Sequence, residues 1–390
     1  MVDKVASRIY QQGTLQAKRQ EPPARGPLSN KTDAMHKKES KHIGERVLSW
    51  YAHHQRDLPW RKTRDPYHIW VSEVMLQQTQ VETVIPYYHR FLRQFPTLVA
   101  LAEAPLDDVL KAWENMGYYA RARNLHAAAK RVLKNFKGEI PKTREGLMSL
   151  PGIGPYTAAA ILSIGFDSPL PAVDANARRV ITRLFAVQEP LGQAVTTGHV
   201  WDLAKQLMPR ERAGYFNQGL MDLGATLCTF QKPKCALCPV RTLCKAYRKG
   251  LQEVLPLTKK RGPIPHCHWT AGVITDQDGH VLITQRPNKG LLGGLWKFPG
   301  GRQIPGEGLK ACLLREIEAE VGITVRVGKG AAQIKHVYTH FRMTLHAFHC
   351  AHRNGTPAAL GCRDWRWTTT SGFDDVAFSK ADRKIIQALV

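Results

Sequence analysis

The sequence predicts two domains of different class, an all-α domain followed by an α+β domain. Three observations carry that reading. From about Lys41 to Lys249 the apolar residues recur three and four apart, as in Ile43-Val47-Leu48-Tyr51 and Val74-Val81-Val84-Ile85-Tyr88. That is the spacing of helices with one buried face. Residues 251–265, LQEVLPLTKKRGPIP, are Pro-rich and basic and read as a linker. Beyond them the pattern changes to short strand-like runs separated by Gly- and Pro-containing turns.

Taken in order, residues 1–40 are polar, with little apolar periodicity, and are expected to form a disordered basic tail. Acidic residues at Asp3, Glu21, Asp33 and Glu39 disfavour a transit peptide. The helical domain, 41–250, is punctuated by Pro59, Pro66, Pro96, Pro105, Pro141, Pro151, Pro169 and Pro171, which divides it into about ten helices. In 266–390, His268–Thr275 and His280–Arg286 read as strands joined by a hairpin turn at Asp276–Gly279. A Gly/Pro loop, a helix from about Glu307 to Val321, strands near Val325, over Val337–His349 and over Trp365–Thr368, and a closing helix Ser379–Leu389 complete the domain.

The 390 residues, 43% of them apolar, are ample for two cores. The formal charge of +24, from 56 basic and 32 acidic residues, favours a polyanionic partner, nucleic acid before acidic membrane. No apolar run approaches the roughly 20 residues that span a bilayer, and the N-terminus has no secretory h-region. We therefore expect an intracellular, cytoplasmic protein associated with the nucleoid, monomeric and off the membrane. With eight cysteines and no export signal, a disulfide framework is disfavoured.

The chain is organised around Leu150–Val180, LPGIGPYTAAAILSIGFDSPLPAVDANARRV. Gly152 and Gly154 allow a tight turn that leaves backbone N–H groups free at a helix start, an anion site. Leu150 and Ile153 can anchor the turn in a core, and a small-residue helix runs from Tyr156 to about Ile164. About twenty residues after the turn stands one carboxylate, Asp174, before the basic helix start Asn176-Ala177-Arg178-Arg179. That order suggests a backbone phosphate clamp beside a catalytic group. A plainer reading of the same residues is two helices, a turn and an N-capping Asp.

Cys228, Cys235, Cys238 and Cys244 place half of the chain's cysteines within seventeen residues. Four thiolates so close suit a tetrahedral site, either zinc or a cubane cluster. Lys232, Lys234, Arg241, Lys245, Arg248 and Lys249 surround them and offer phosphate contacts.

The hairpin LPGIGPYTA, the acid in VDAN and this cysteine spacing together resemble the helix-hairpin-helix DNA glycosylases of the endonuclease III superfamily. The resemblance implies an all-α fold of two lobes with DNA across the cleft, and a structural [4Fe–4S] cluster held by Cys228, Cys235, Cys238 and Cys244. Bifunctional members place a Schiff-base lysine where this chain has Tyr156. A tyrosine cannot attack the sugar as an amine does, so a monofunctional enzyme that leaves an abasic site is expected.

WVSEVMLQQTQ (Trp70–Gln80), LPWR (Leu58–Arg61) and GYYARARN (Gly117–Asn124) resemble MutY-type adenine DNA glycosylases. The partner implied is double-stranded DNA with adenine opposite 8-oxoguanine or guanine. The chemistry is coherent from the residues upward. Adenine leaves more readily once a ring nitrogen is protonated. Glu73 sits among Val71, Val74, Met75 and Leu76, a setting that raises a carboxyl pKa and keeps its proton. Asp174 can stabilise the oxocarbenium ion, or act as transient nucleophile, in the two-carboxylate manner of glycoside hydrolysis. The resemblance assigns the same roles. It also implies that Tyr156 and Asn176 complete the catalytic group, that Arg56 and Gln218 contact the adenine edge, and that Gln78 and Tyr118 insert beside the orphaned guanine once the adenine flips out. Leu76 and Thr79 stand nearby. Ala175 replaces the family's usual glycine, a change tolerated unless that position needs a positive φ.

In the C-terminal domain, Gly301-x5-Glu307-x7-Arg315-Glu316-Ile317-Glu318-Ala319-Glu320-Val321-Gly322-Ile323 resembles a Nudix box, with Ala319 in place of one of its acids. The resemblance implies a recognition module for the oxidised guanine, in which Thr339 supplies a hydroxyl and His340 a phosphate or base contact. His346 and His349 alternate to opposite faces of a strand, so a zinc site there is disfavoured, and Cys267 and Cys312 are expected to be buried thiols. Three other readings compete: an endonuclease III-like lyase on oxidised pyrimidines, a Nudix diphosphatase, and a cluster-bearing protein that binds DNA or senses redox state without catalysis.

Overall fold

The helix Asn30–His54 (α1) opens the computed structural model, which describes residues 30–258 and 262–389. It begins inside the stretch 1–40 expected to be disordered; residues 1–29 of that stretch lie outside the described residues. After a 3₁₀ turn, Pro59–Arg61, come α2 (Pro66–Leu76), α3 (Val81–Gln94), α4 (Leu98–Glu103), α5 (Leu106–Ala112), α6 (Ala120–Asn135), α7 (Arg144–Met148), α8 (Pro155–Phe166), α9 (Ala175–Phe185), α10 (Ala194–Leu207), α11 (Ala213–Thr226) and α12 (Lys245–Arg248). These are twelve α-helices among the described residues, against about ten expected. The surplus is short elements such as α7 and α12, which hold too few residues for periodicity to register.

Two apolar cores divide the helices into two lobes. One gathers Trp70, Val71 and Met75 of α2, Phe91 of α3, Leu125 of α6 and Ile161 of α8. The other gathers Val47 of α1, Val180 and Ile181 of α9, Val200 of α10, and Phe216 and Leu220 of α11. The start of α2 is written into the chain: Asp65 accepts from Tyr67 N at 2.8 Å and Pro66 takes the first helical position. Buried residues run through α2 from Tyr67 to Met75, and a helix apolar all round is one packed on every side.

The expected linker is only partly one. Leu255 is buried and its carbonyl accepts from Arg183 Nε at 2.8 Å, so 251–258 pack on the helical lobe, while 259–261 lie outside the described residues.

The C-terminal domain comprises β1 (His266–Thr275), β2 (Val281–Gln285), β3 (Trp296–Lys297), α13 (Leu309–Val321), β4 (Thr324–Val337), β5 (Arg342–Asn354), β6 (Asp364–Thr368) and α14 (Lys380–Leu389). The sheet order is β3-β2-β1-β5-β4, with β6 paired to β2. The hairpin turn forms, with Asp276 accepting from the N–H groups of Asp278 and His280. However, β1 meets β2 at one residue pair and runs its whole length parallel to β5. That crossover is invisible to local pattern. The strand expected over Val337–His349 is also corrected: β4 ends at Val337, Tyr338 N donates to Phe341 O at 2.9 Å to close a turn, and β5 starts at Arg342. Ile317 and Val321 of α13 pack on one face of the sheet, and Ile385 of α14 with Phe373 and Phe378 on the other.

Lys41–Val390 is one unit, and its two halves share a packed seam. Leu295 and Ala377 join the core of the first lobe. Glu114 accepts from Arg383 Nε at 2.7 Å and from Phe378 N at 2.9 Å, and Asp107 accepts from Gln285 Nε2 at 2.8 Å.

Candidate active site

The hairpin turn delivers Tyr156 to the flank of α2, and Asp174 follows at the head of α9. Gly152 takes φ +77°, and a Cβ there would come within 2.7 Å of Asn124 Cβ, so this glycine is required twice over. Gly154 is extended, at φ −95°, and N-caps α8. Leu150 and Ile153 are buried as expected. Tyr156, in the first turn of α8, donates its hydroxyl to Glu73 Oε2 at 2.5 Å.

Asp174 is the N-cap of α9, accepting from Ala177 N at 2.6 Å and from Asn176 Nδ2 at 2.9 Å. The plain capping reading and the functional one thus describe the same atoms. Ala175 opens α9 without a positive φ, so its methyl is accommodated. Close approach of α11 fixes Asn176: a Cβ on Gly224 would meet Asn176 Cβ at 2.7 Å. Arg179 donates to Asn176 Oδ1 at 2.9 Å and to the carbonyl of Cys228 at 2.7 Å.

The two carboxyls differ in what surrounds them. Burial pushes Glu73 up to about 7, against the Tyr156 hydroxyl bond, with the Asp174 charge adding to the rise and Arg61 opposing it. Burial also raises Asp174, but the N–H groups of Ala177 and Asn176, the Asn176 amide and Arg179 all favour its anion. The pair is therefore built to hold one proton on Glu73 and one negative charge on Asp174. Burial, with both acids beside it, holds Tyr156 well above the usual phenol range, so it donates.

Of the other expected residues, Gln218 of α11 accepts from Tyr51 OH at 3.2 Å, and Arg56 is tied through Nε to Asp222 at 2.7 Å. Leu76 ends α2, and Gln78 takes φ +56° in the loop that follows. Arg121 braces that loop, donating to the carbonyls of Val74, Met75 and Gln77 and to Thr79 Oγ1. Tyr118 also takes a positive φ, +51°, and its hydroxyl lies 2.9 Å from Thr339 Oγ1 across the domain seam. Thr339 and His340 are exposed at the β4–β5 turn.

Sequence reasoning missed Asp222, the ion-pair partner of Arg61 and Arg56, and the brace Arg121. Arg61 closes the LPWR motif, Arg121 lies in GYYARARN, and Asp222, one turn beyond Gln218, is the one charged residue of its helix. An acid in such a setting is a readable signal.

The four clustered cysteines are free and half-buried, and Arg183 Nη1 lies 3.3 Å from Cys228 Sγ. Burial pushes the Cys238 thiol up to about 12 and raises Cys235 and Cys244. A bound cation or cluster would supply the positive charge that favours the thiolates of these three. Thiols are the donor chemistry that such a group takes.

The Nudix-like acids stand otherwise. Glu320 accepts from Lys297 Nζ at 2.6 Å, Thr284 Oγ1 at 2.9 Å and Gly300 N at 3.2 Å. Glu307 is held down at about 2 by the Arg315 guanidinium. Both are already satisfied by protein cations. Cys267 and Cys312 are buried, as expected. His346 is half-buried and 3.1 Å from His268, while His349 is exposed, consistent with alternation.

Residues 71–205 match the model of the HhH-GPD superfamily base excision DNA repair proteins, and residues 270–388 match the NUDIX domain model. Fold and site thus define a helix-hairpin-helix repair glycosylase with a Nudix-like module. Curated adenine DNA glycosylases align along most of the chain. The rat protein is 36% identical, covering 87% of this chain and 76% of its own. The Schizosaccharomyces pombe protein is 31% identical, covering 88% of each. The chain belongs to the adenine DNA glycosylase family. Among solved structures, a thermostable thymine-DNA glycosylase is 32% identical with a TM-score of 0.50, covering 54% of this chain and 98% of that one.

Proposed function

We propose that this protein removes adenine from duplex DNA where adenine lies opposite 8-oxoguanine or guanine, hydrolytically and without cutting the strand. The observation that carries the reading is a pair of acids: buried Glu73, with a single neutral hydrogen-bond donor, and half-buried Asp174, with donors that favour its anion. The adenine flips out of the stack, at a cost of a few kcal/mol. Glu73 gives its proton to a ring nitrogen of the base, and the glycosidic bond breaks. The electron pair leaves with adenine. Asp174 stabilises the oxocarbenium ion, and water adds to the sugar to leave an abasic site. Tyr156 orients Glu73, and Asn176 orients Asp174. With tyrosine at 156, no amine stands there to form a Schiff base.

The labour divides along the chain. Residues 41–250 carry catalysis, 251–265 join the halves, and 266–390 read the opposite base. Gln78 and Tyr118 enter the stack beside the orphaned guanine, with Leu76 and Thr79 behind them; Thr339 and His340 approach from the β4–β5 turn. Arg56 and Gln218 meet the adenine edge, and the turn at Gly152 and Gly154 grips the backbone. Cys228, Cys235, Cys238 and Cys244 would hold a [4Fe–4S] cluster, which braces the basic loop against DNA. The net charge of +24 supports a polyanionic partner.

A labelled duplex with adenine opposite 8-oxoguanine tests the reading, read with and without hot alkali beside Asp174→Asn. Strand breaks only after alkali, and none with the variant, are expected. Breaks without alkali would mean a lyase and overturn the argument from Tyr156. No product from brown, iron-loaded protein would overturn the adenine assignment.

A further inference from the structure

The fold brings one cation to the acid site that the reaction above leaves without a task. Arg61 closes the 3₁₀ turn with only 8% of its side chain exposed, and its charge acts on Glu73 in the direction of ionisation. A guanidinium free to turn toward Glu73 would take the proton donor away, because a cation at contact distance favours the carboxylate. Arg61 is not free. Asp222, on α11 and wholly buried, accepts from Arg61 Nη2 at 2.6 Å and, through its second oxygen, from Nη1. Two parallel bonds fix the guanidinium plane as one cannot. The same carboxylate accepts from Arg56 Nε at 2.7 Å and Arg56 N at 3.2 Å. Arg61 Nη1 also donates to the Arg56 carbonyl at 3.3 Å.

We propose that Asp222 is a positioning residue for base removal: by holding both terminal nitrogens of Arg61, it keeps that guanidinium off Glu73 and leaves Glu73 its proton. The inference rests on the reading of Glu73 as proton donor. The other groups that act on Glu73 do so independently of Asp222. Tyr156 of α8 donates its hydroxyl, and Asp174, at the head of α9, disfavours a second negative charge. Arg121 of α6 is bound to the backbone carbonyls of Val74 and Met75. Of the groups that act on Glu73, Arg61 is therefore the one whose direction Asp222 sets; Arg56, held by the same carboxylate, is not among them.

The test is the pH dependence of single-turnover base release by the full-length, cluster-loaded protein on an adenine:8-oxoguanine duplex. In the wild type the rate falls as pH rises and Glu73 loses its proton. Asp222→Asn is expected to move that fall downward by about one pH unit, a loss of about tenfold at pH 8 with little change at pH 5.5. Arg61→Gln is expected to move it upward, and the double variant to match Arg61→Gln, because Asp222 acts through Arg61. A uniform loss at every pH in Asp222→Asn, with the fall in place, means a purely structural role and overturns the inference. Should Asp222→Asn fail to fold, Arg61→Gln decides alone, and an unmoved fall overturns it. An alkaline fall that survives in Glu73→Gln would sink the proton-donor reading itself, and the inference with it. Lost pH dependence in Glu73→Gln beside an unmoved fall in Asp222→Asn sinks only the role of Asp222.

Discussion

Glu73 and Glu320 are the same residue, both on helices, both more than nine-tenths buried, yet they are in opposite states. Glu73 has one neutral donor and a second acid nearby, and burial holds it protonated to about 7. Glu320 has an ammonium, a hydroxyl and a backbone N–H, and it is a satisfied half of an internal ion pair. Burial alone therefore does not make an acid. What decides is whether the fold supplies a cation. The helical domain withholds one from Glu73, with Arg61 engaged elsewhere. The Nudix-like domain puts Lys297 where a magnesium-binding acid would need to be free, which, with Ala319, argues against diphosphatase chemistry.

The contrast can be broken from either side. The largest effect is expected from Glu73→Gln, which keeps shape and loses the proton: single-turnover adenine release should fall by about a thousandfold, with duplex affinity retained in a gel-shift assay. Wild-type rates with this variant would end the argument. Next is Lys297→Met, which strands the Glu320 charge in the core. Chemical denaturation should show a loss of about 3–5 kcal/mol, largely recovered by adding Glu320→Gln.

Glu73 should also cost stability as pH rises. Its folded pKa lies above the unfolded one, so the protonated form favours the fold fully below about 4.5. That contribution is lost as pH climbs through about 7, a change of about 3 kcal/mol. Glu73→Gln should therefore match the wild type in melting experiments near pH 4 and exceed it at pH 8; equal curves at both would mean Glu73 is not shifted. The smallest effect is expected from Thr339→Val, which removes an exposed partner of Tyr118. Stability should change by about 0.5 kcal/mol or less, while the rate preference for adenine opposite 8-oxoguanine over guanine narrows.

Much of the candidate site is legible in the sequence. Glu73 announced itself by apolar neighbours, Asp174 by its place after the glycine turn, and the cysteines by their spacing. The longer helices of the first domain followed from apolar periodicity and from caps such as Asp65-Pro66, while short ones such as α7 and α12 did not. These are local signals, and a helix satisfies its own backbone within a few residues.

Other features needed the fold, because they join residues distant in sequence. The parallel pairing of β1 with β5 links segments some seventy residues apart, and the β4–β5 turn falls within what reads as one continuous strand. The bond from Tyr156 to Glu73, the grip of Asp222 on Arg61 and the seam from Glu114 to Arg383 are of the same kind. The sequence by itself determined which acids are present and which segments bury them. Tertiary structure decided which of those acids meets a cation, because charges act through space over a few ångströms and chain order does not encode that distance.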